Sequence, residues 1–449
     1  MFEQLAAMPK YEEYKDSGVE CLGEIPEHWE IKRLKYVVHI NRETLPETTP
    51  AIFEMKYVDI GSVSYEKGIE KTEDFMFKTS PSRARRLARE GDTIISTVRT
   101  YLRAIDYIDE YKNKFVYSTG FAVLSQKHIN PKFLTSFVWS NAFTNQVEDE
   151  SKGISYPAIN STDLSNLFFV EPPLFEQTAI AAFLDRKTAQ IDQAVAIKEK
   201  QIALLKERKQ ILIQNAVTQG FNPDSPMRDS GAEWVGKIPK HWEMIRVKNI
   251  FRLIIESAEK NNNHELLSIY TDIGVKPRKE LEEKGNKAST TDGYWLVKKG
   301  DFIINKLLAW MGAIGLSEYE GVTSPAYDIL RPIKPIEGYF YHYLFRTTAC
   351  SSELKKHSRG IMEMRLRLYF DKFGAVEVPY PSKEEQTAIV AHIEIESAKI
   401  DKAISLQQQQ IDKLKEYKIT LINSTVTGKI RVPEPVESSV PELADSLVA

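Results

Sequence analysis

Two stretches of the chain carry nearly the same sequence: residues 16–35 read DSGVECLGEIPEHWEIKRLK, and residues 229–248 read DSGAEWVGKIPKHWEMIRVK. Twelve of the 20 aligned positions are identical, which is far more than chance provides. We call these stretches the DSG segments. Because a repeat of this kind fixes the organisation of a fold, the chain of 449 residues is first of all a sequence written twice.

Further paired motifs extend the repeat along the chain. The sequence EQTAI occurs at residues 176–180 and again at residues 385–389, an offset of 209 positions. Between the motifs, GDTII at residues 91–95 aligns with GDFII at residues 300–304 at the same offset. The order along the chain is therefore variable unit, shared helix, variable unit, shared helix.

The EQTAI motifs begin two long segments that are predicted to be helical. The first follows Pro172-Pro173 and closes at Gly220; the second follows Pro381-Ser382, with Glu385 completing a capping box, and closes at Gly428. Apolar residues recur in both at spacings of three, four and seven, which is typical of a coiled-coil seam. The predicted seam residues are Leu184, Ile191, Val195, Ile202, Leu205, Leu212 and Ala216 in the first helix and Ile393, Ile400, Ile404, Ile411, Leu414 and Leu421 in the second.

The two helices also share polar interruptions of the seam, since Lys198 aligns with Gln407 and Lys209 with Lys418. Polar seam residues reduce stability but fix the register of a coiled coil. Because a globular unit separates two matching helices, the economical arrangement is an antiparallel pair with a pseudo-two-fold axis. A helix of about 43 residues forms a rod of roughly 64 Å, or roughly 19 base pairs of DNA.

The variable units have the pattern of compact mixed domains, although their strand order does not follow from the sequence. The fold class is therefore α/β (α+β): two globular mixed domains linked by two long helices that form an antiparallel coiled coil with an internal repeat. Predicted strands are residues 93–98, 115–117, 121–124, 302–305 and 326–330, and predicted helices are residues 131–147 and 339–357.

The net charge of −3 is unevenly distributed along the chain. Residues 1–30 carry a charge of −6 and residues 432–449 a charge of −4, so the repeated body carries +7. This excess is compatible with DNA binding without requiring it. No run of 18 apolar residues or signal peptide is present, and the two cysteines, Cys21 and Cys350, form no disulfide framework. A reducing cytoplasm is the expected location.

Motifs for catalysis and cofactor binding are missing from the sequence. It lacks a phosphate-binding loop, a glycine-rich dinucleotide motif and paired metal-ligand spacings, so we predict no catalytic residue, metal or cofactor in this chain. Asp272, Glu282 and Lys284 loosely resemble a nuclease cluster, but solvated loop charges are the preferred interpretation. His28 and Trp29, with their repeats, are interpreted as packing anchors rather than catalytic groups.

Basic and aromatic residues of the variable units are the remaining candidates for function. Arginine and lysine contact phosphates and bind guanine edges, and two equivalent loops with different side chains would suit two different half-sites. For each candidate a core or surface role is the competing interpretation, and a solvated helix face is the alternative for residues 83–89. The candidate DNA contacts are Arg83, Arg85, Arg86, Arg99, Tyr101, Arg103, Lys276, Arg278, Lys306, Trp310, Arg365 and Arg367.

This organisation resembles the specificity subunit of type I restriction-modification enzymes. The resemblance rests on the doubled DSG segments, the doubled EQTAI helix starts after proline-rich lead-ins and the Gly-Asp strand of each variable unit, and it covers residues 11 to 430. It implies two target-recognition domains that read the halves of a split double-stranded DNA sequence, with the coiled coil setting the spacer. It also implies two methyltransferase subunits that methylate adenine with S-adenosylmethionine, and restriction subunits that use ATP and Mg²⁺.

The resemblance assigns a domain to each part of the chain. We expect recognition domains at residues 11–170 and 224–378, coiled-coil helices at residues 171–220 and 379–428, and an acidic tail at residues 429–449. No base-contacting residue carries over from the family, since those contacts follow no motif. The function expected is non-catalytic DNA recognition for partner subunits; a scaffold that binds no DNA and a self-contained nuclease are the alternatives.

Overall fold

The computed structural model describes residue 5 and residues 7–280, 290–360 and 366–433. The chain divides into two compact units of mixed α+β structure. Unit 1 contains residues Met1–Lys198 and Gln409–Ala449, and unit 2 contains residues Glu199–Gln408. Each unit therefore combines one variable segment with part of both long helices.

The helices of the two units follow the same order. Unit 1 contributes α1 to α4, unit 2 contributes α6 to α8, and α5 and α9 are the two long helices. Their bounds are α1 Leu34–Val37, α2 Pro131–Trp139, α3 Asn141–Asp149, α4 Ser161–Ser165, α5 Leu174–Gln219, α6 Gly338–Phe345, α7 Thr348–His357, α8 Phe370–Phe373 and α9 Lys383–Val426.

The helices predicted at residues 131–147 and 339–357 are each two helices, and the prediction of one continuous helix is wrong in both units. Ser140 interrupts the first with an extended backbone (ψ 155°), and Thr347 interrupts the second (ψ 150°). The Thr347 hydroxyl accepts a hydrogen bond from the Cys350 amide at 3.2 Å. A hydroxyl residue at this place begins a new helix, because its extended conformation ends the previous one.

Both units also contain many short strands. Those of unit 1 are β1 Tyr14–Asp16, β2 Glu24–Pro26, β3 Glu30–Arg33, β4 Val38–Ile40, β5 Glu43–Thr44, β6 Glu54–Val58, β7 Val63–Ser64, β8 Gly68–Ile69, β9 Glu73–Met76, β10 Ala84–Leu87, β11 Thr93–Ser96, β12 Ile105–Tyr107, β13 Val116–Ser118, β14 Phe121–Gln126 and β15 Phe168–Glu171. Those of unit 2 are β16 Met227–Asp229, β17 Lys237–Pro239, β18 Glu243–Arg246, β19 Phe251–Ile254, β20 Leu267–Tyr270, β21 Gly274–Pro277, β22 Trp295–Val297, β23 Phe302–Asn305, β24 Ile314–Leu316, β25 Gly321–Thr323, β26 Tyr327–Pro332 and β27 Glu377–Tyr380.

One four-stranded antiparallel sheet is common to both units. Its order is β4-β14-β11-β12 in unit 1 and β19-β26-β23-β24 in unit 2. The register repeats as well, since Thr93 faces Leu124 and Phe302 faces Leu330. In both units the second half of the DSG segment pairs with the strand before the long helix, as β3 with β15 and β18 with β27.

The units differ in the strands outside this sheet. Unit 1 has a five-stranded sheet of order β5-β10-β13-β6-β9, in which β13 and β6 are parallel. Unit 2 has the pairs β20-β21 and β22-β25 among its described residues. The shared sheet is therefore a common scaffold, and the additional strands are where the variable units have diverged.

Inside each unit, the segments of α5 and α9 run antiparallel. In unit 1 Lys418 Nζ lies 2.7 Å from both carboxylate oxygens of Asp192, while Lys198 binds Gln410 further along. In unit 2 Lys209 Nζ lies 2.8 and 2.7 Å from the oxygens of Asp401. Lys209 and Asp401 are the repeats of Lys418 and Asp192, so one ion pair occurs once in each unit with the helices exchanged.

The predicted seam residues are buried or half-buried, without exception. Leu184, Ile191 and Leu421 belong to the core of unit 1, and Ile393 belongs to the core of unit 2. Trp29 lies in the first of these cores and Trp242 in the second, as expected of packing anchors. Within the described ranges, no helix is long and apolar enough to span a membrane.

Candidate DNA-recognition surfaces

The polar residues of the repeated motifs hold the scaffold of each unit together. In unit 1 the Glu176 carboxylate accepts hydrogen bonds from Trp29 Nε1 at 3.1 Å and from the Tyr11 hydroxyl at 2.8 Å, and it contacts His28 Nε2 at 2.6 Å. In unit 2 Glu385 contacts His241 Nε2 at 2.9 Å. The glutamate of EQTAI therefore fastens the long helix to the DSG segment.

The glutamine of the same motif fastens the helix to the variable segment. Gln177 donates to the Pro172 carbonyl at 2.8 Å and accepts from the Asn130 amide at 2.8 Å. Gln386 repeats both bonds, with the Pro381 carbonyl at 2.9 Å and the Glu337 amide at 2.8 Å. A buried amide that satisfies two backbone groups explains why the motif recurs unchanged.

The Gly-Asp motif forms the turn that leads into the central strand of each shared sheet. Gly91 and Gly300 have φ of +89° and +93°, a left-handed conformation that favours glycine. The Asp92 carboxylate accepts from the Arg89 amide at 2.7 Å, and Asp301 accepts from the Lys298 amide at 2.9 Å. The two central strands, β11 and β23, therefore start from the same turn.

A short 3₁₀ turn follows each central strand, and its side chains differ between the units. In unit 1 the turn is Thr100–Leu102, flanked by Arg99 and Arg103 with positive φ of 54° and 46°. Arg99 is exposed, with its guanidinium 5.1 Å from the ring of Tyr156. Tyr101 is 54% exposed. Both side chains are therefore accessible to a ligand.

Arg103 of the same turn is held against the domain. Its guanidinium donates to Glu148 at 2.8 Å and Asn141 at 2.9 Å, and it lies 5.8 Å from the ring of Tyr65. The hydrogen bond to Glu148 is the main reason that the pKa of Arg103 is raised. Its geometry is that of a residue that fixes the turn.

The equivalent turn of unit 2 is Ala309–Met311. Lys306, just before it, contacts Asp328 Oδ1 and the Pro325 carbonyl at 3.2 Å each. Trp310 is half-buried, with Lys355 Nζ 5.0 Å above its ring. Both predicted candidates thus have partners inside unit 2.

Arg85 and Arg86 of the cluster at residues 83–89 lie on strand β10, and Arg83 and Arg89 lie just outside it. The cluster is not helical, so the interpretation as a helix face is wrong. Strand pairing with β13 and β5 overrides the helical propensity of this charged stretch. Arg83 contacts Asp59 at 3.1 Å, and Arg85 lies 4.7 Å from the ring of Phe77. Burial lowers the pKa of Arg86, whose Nε finds no acceptor among the described residues.

The remaining basic candidates lie in unit 2. Lys276 donates to the Tyr319 hydroxyl at 2.9 Å, and the half-buried Arg278 follows it at the end of β21. Arg367 is exposed and pairs by its backbone with Arg359. Arg365, like the Glu282 and Lys284 of the loosely nuclease-like group, lies outside the described residues. No group of side chains in the described ranges could hold a metal ion.

The prediction of contact residues overlooked the loop at residues 151–158 of unit 1. Ile154 is fully exposed and Tyr156 is 66% exposed, beside Arg99. A signal was present in the sequence, since Ser-Lys-Gly-Ile at residues 151–154 recurs as Ser-Arg-Gly-Ile at residues 358–361.

Comparison with known proteins identifies the scaffold. Residues 26–207 match the family described as type I restriction modification DNA specificity domain. A protein of Methanocaldococcus jannaschii named for the MjaX type I restriction enzyme specificity subunit is 22% identical over 451 residues, spanning 94% of this chain and 98% of the relative. These matches agree with the resemblance to type I restriction-modification specificity subunits. The predicted resemblance to these subunits is thereby confirmed.

One further relative and two solved chains agree with this resemblance. The MjaVIII specificity subunit of the same organism is 22% identical over 307 residues, covering 64% of this chain and 67% of the relative. A solved chain from a study of complex assembly in a type I restriction-modification system has a TM-score of 0.66 at 22% identity, over 90% of this chain and 98% of that one. The HsdS subunit of Thermoanaerobacter tengcongensis has a TM-score of 0.52 at 21% identity, with the same coverage. The two solved chains share the fold of this chain.

Proposed function

We propose that this chain is a specificity subunit that recognises a two-part DNA sequence, with unit 1 reading one half-site and unit 2 the other. The observation that carries the proposal is one scaffold with two different turns. The Gly-Asp turn, the central strand and the 3₁₀ turn recur in both units, whereas Arg99 and Arg103 of unit 1 become Leu308 and Gly312 in unit 2. A constant scaffold with changed side chains suits two readers of different base sequences.

The long helices α5 and α9 set the distance between the half-sites in this proposal. They contribute to both units, and their antiparallel pairing inside each unit brings together the repeated ion pairs of Lys418 with Asp192 and of Lys209 with Asp401. The predicted seam residues would then form one coiled coil. A rigid helical spacer of this kind would keep a constant number of unread base pairs between the two half-sites.

The chemistry of modification and restriction belongs to partner subunits in this proposal. Two methyltransferase subunits would bring S-adenosylmethionine and methylate adenine, and restriction subunits would bring ATP and Mg²⁺. The chain itself would be non-catalytic, in keeping with a sequence that lacks nucleotide-binding and metal-ligand motifs. The boundaries of the domains and the individual DNA contacts stay predictions, with Arg83, Arg99 and Tyr101 the exposed candidates of unit 1.

The test replaces the 3₁₀ turn of unit 1 by that of unit 2 and determines which DNA sequence is methylated. Residues 99–103 are replaced by residues 308–312, and the variant is expressed with its methyltransferase partner in cells whose methylated adenines are then mapped. We expect one half of the recognised sequence to change while the other half and the spacer stay as in the parent. A change in both halves, or methylation without sequence preference, would contradict the proposal.

A further inference from the structure

An exposed apolar crest lies beside the 3₁₀ turn of unit 1. It consists of Val98, Tyr101 and Leu102 from the turn and of Ile154 and Tyr156 from the loop at residues 151–158. Ile154 has a relative exposure of 103%, so its side chain touches almost nothing of its own domain. Single exposed apolar residues are common on protein surfaces, but the Val98–Ala158 bridge and the Arg99–Tyr156 contact make the turn and the loop neighbours, and such a group indicates a contact surface.

The backbone of the crest is fixed by hydrogen bonds. Lys152 and Ala158 exchange both of theirs, at 2.9 and 3.0 Å, which closes the loop at its base. The Ile159 amide binds the Thr97 carbonyl at 2.9 Å, and the Thr100 hydroxyl lies 2.9 Å from that of Ser151. These bonds fix the base of the loop, and Ile154 lies exposed beyond it.

Cationic groups flank the apolar crest. The exposed Arg99 guanidinium lies 5.1 Å from the ring of Tyr156, and the side chain of Lys152 is 81% exposed, 3.5 Å from Asp163. Apolar side chains between cations match the groove of a duplex, where the cations meet phosphates and the apolar group meets bases. The exposed acids Glu148, Asp149 and Glu150 precede the loop, so the net local charge does not select the ligand. Duplex DNA is the ligand that the proposed function supplies, with Arg99 and Lys152 as the groups that would meet phosphates.

Part of the loop at residues 151–158 has the same sequence in both units, whereas the 3₁₀ turn beside it does not. Ser-Lys-Gly-Ile of unit 1 corresponds to Ser-Arg-Gly-Ile of unit 2, whose Ile361 lies outside the described residues. The base of the second loop is built in the same way, with Arg359 and Arg367 exchanging both backbone hydrogen bonds at 2.9 and 2.8 Å. The Leu368 amide binds the Lys306 carbonyl at 2.9 Å, as Ile159 binds Thr97.

A feature shared by two readers of different sequences does not itself distinguish those sequences. We propose that Ile154 is an apolar wedge that enters the base stack at the half-site bound by unit 1, and that it promotes extrusion of the adenine to be methylated. The inference rests on the proposed function. Methyltransferases act on a base removed from the stack, and an inserted apolar side chain lowers the cost of unstacking it.

The test uses the complex of the full chain with its methyltransferase partner. Ile154→Ser removes the wedge, and Ile52→Ser, which changes another exposed isoleucine of unit 1, is the matched control. The fluorescent analogue 2-aminopurine replaces the target adenine of each half-site in turn and reports extrusion. Methylation of unsubstituted duplexes that carry one premethylated half-site is timed separately for each half.

For Ile154→Ser we expect the same recognised sequence, a loss of 2-aminopurine fluorescence at one half-site and about tenfold slower methylation there. The other half-site, the control variant and assembly with the methyltransferase should be unchanged. Unaltered fluorescence and rate would overturn the wedge while leaving the proposed function intact. A changed base preference would show that Ile154 contributes to sequence recognition. Weaker assembly with the methyltransferase would show that the crest is a protein interface. Either result rejects the proposal. Absence of sequence-specific binding by the parent complex would instead reject the proposed function.

Discussion

Arg99 and Arg103 flank the same turn of unit 1 but differ in what they contact. Arg103 donates to three side chains of the domain, whereas Arg99 stacks on an exposed tyrosine. We expect Arg103→Ala to lower the free energy of unfolding by about 1–3 kcal/mol, because it leaves Glu148 and Asn141 without their donor. Arg99→Ala should leave stability within about 0.5 kcal/mol and weaken DNA binding about tenfold.

Urea unfolding and a DNA titration on both variants check this assignment. The salt dependence of binding is the second readout, since loss of a phosphate contact reduces its slope by about one. Equal loss of stability in the two variants would contradict the difference in role.

His342 links the stability of unit 2 to pH. Its ring packs against Gly274 and Gly315, where a Cβ would lie 3.0 and 2.9 Å from the ring, and its Nδ1 accepts from the Leu316 amide at 3.3 Å. Burial, with a smaller contribution from Arg346, lowers the pKa of His342 to about 4. Since the unfolded chain binds this proton near pH 6.5, protonation favours unfolding.

The stability contributed by neutral His342 is therefore complete above about pH 6.5 and is lost as the pH falls towards about 4, to a total of about 3 kcal/mol. Hydrogen exchange of unit 2 across this range measures the loss. His342→Gln should flatten the pH dependence, whereas His264→Gln, at an exposed histidine, should keep it. An unchanged slope in His342→Gln would show that other groups cause it.

At the scale of elements, the long helices carry the same ion pair twice, so its strength in unit 1 can be compared with its strength in unit 2. Lys418 with Asp192 in unit 1 and Lys209 with Asp401 in unit 2 have matching geometry. Because each aspartate is more than half exposed, we expect a coupling of only about 0.5–1 kcal/mol in a double-mutant cycle with alanine. The two cycles should agree, and exchanging the charges within a pair should restore stability. Coupling in one unit only would show that the pairs are not equivalent.

The long helices were predictable because the seam spacing, the flanking prolines and the closing glycines all favour the same assignment. The breaks within the helices predicted at residues 131–147 and 339–357 could not be predicted. Ser140 and Thr347 cause them through an extended backbone conformation, and hydrophobic spacing does not report that conformation. Strand order was not derivable either, since the partners of β11 are chosen by tertiary packing.

The same distinction applies to the candidate site. Basic residues identified the turn after β11, but only the structure separates the accessible Arg99 from the tethered Arg103 and Lys306. Ile154 could not be predicted as a candidate contact, because the sequence does not show whether an apolar residue is buried or exposed to solvent.

At the scale of the whole molecule, the proposed spacer makes a prediction about distance. Duplicating one heptad in each long helix, residues 195–201 and their repeats 404–410, preserves the seam and lengthens each helix by about 10.5 Å. This length corresponds to about three base pairs. We expect the methylated sequence to keep both half-sites and to gain about three base pairs between them.

Mapping of methylated adenines in cells that carry the variant and its methyltransferase partner measures the spacer directly. Seven residues inserted after Pro433, beyond α9, are the control and should leave the spacer unchanged, because they add length outside the paired helices. Duplication in α5 alone should abolish methylation, since it displaces Lys209 from Asp401 and shifts the seam of one helix against that of the other. A spacer that stays constant after the double duplication would mean that the helices join the two units without measuring the DNA between their half-sites.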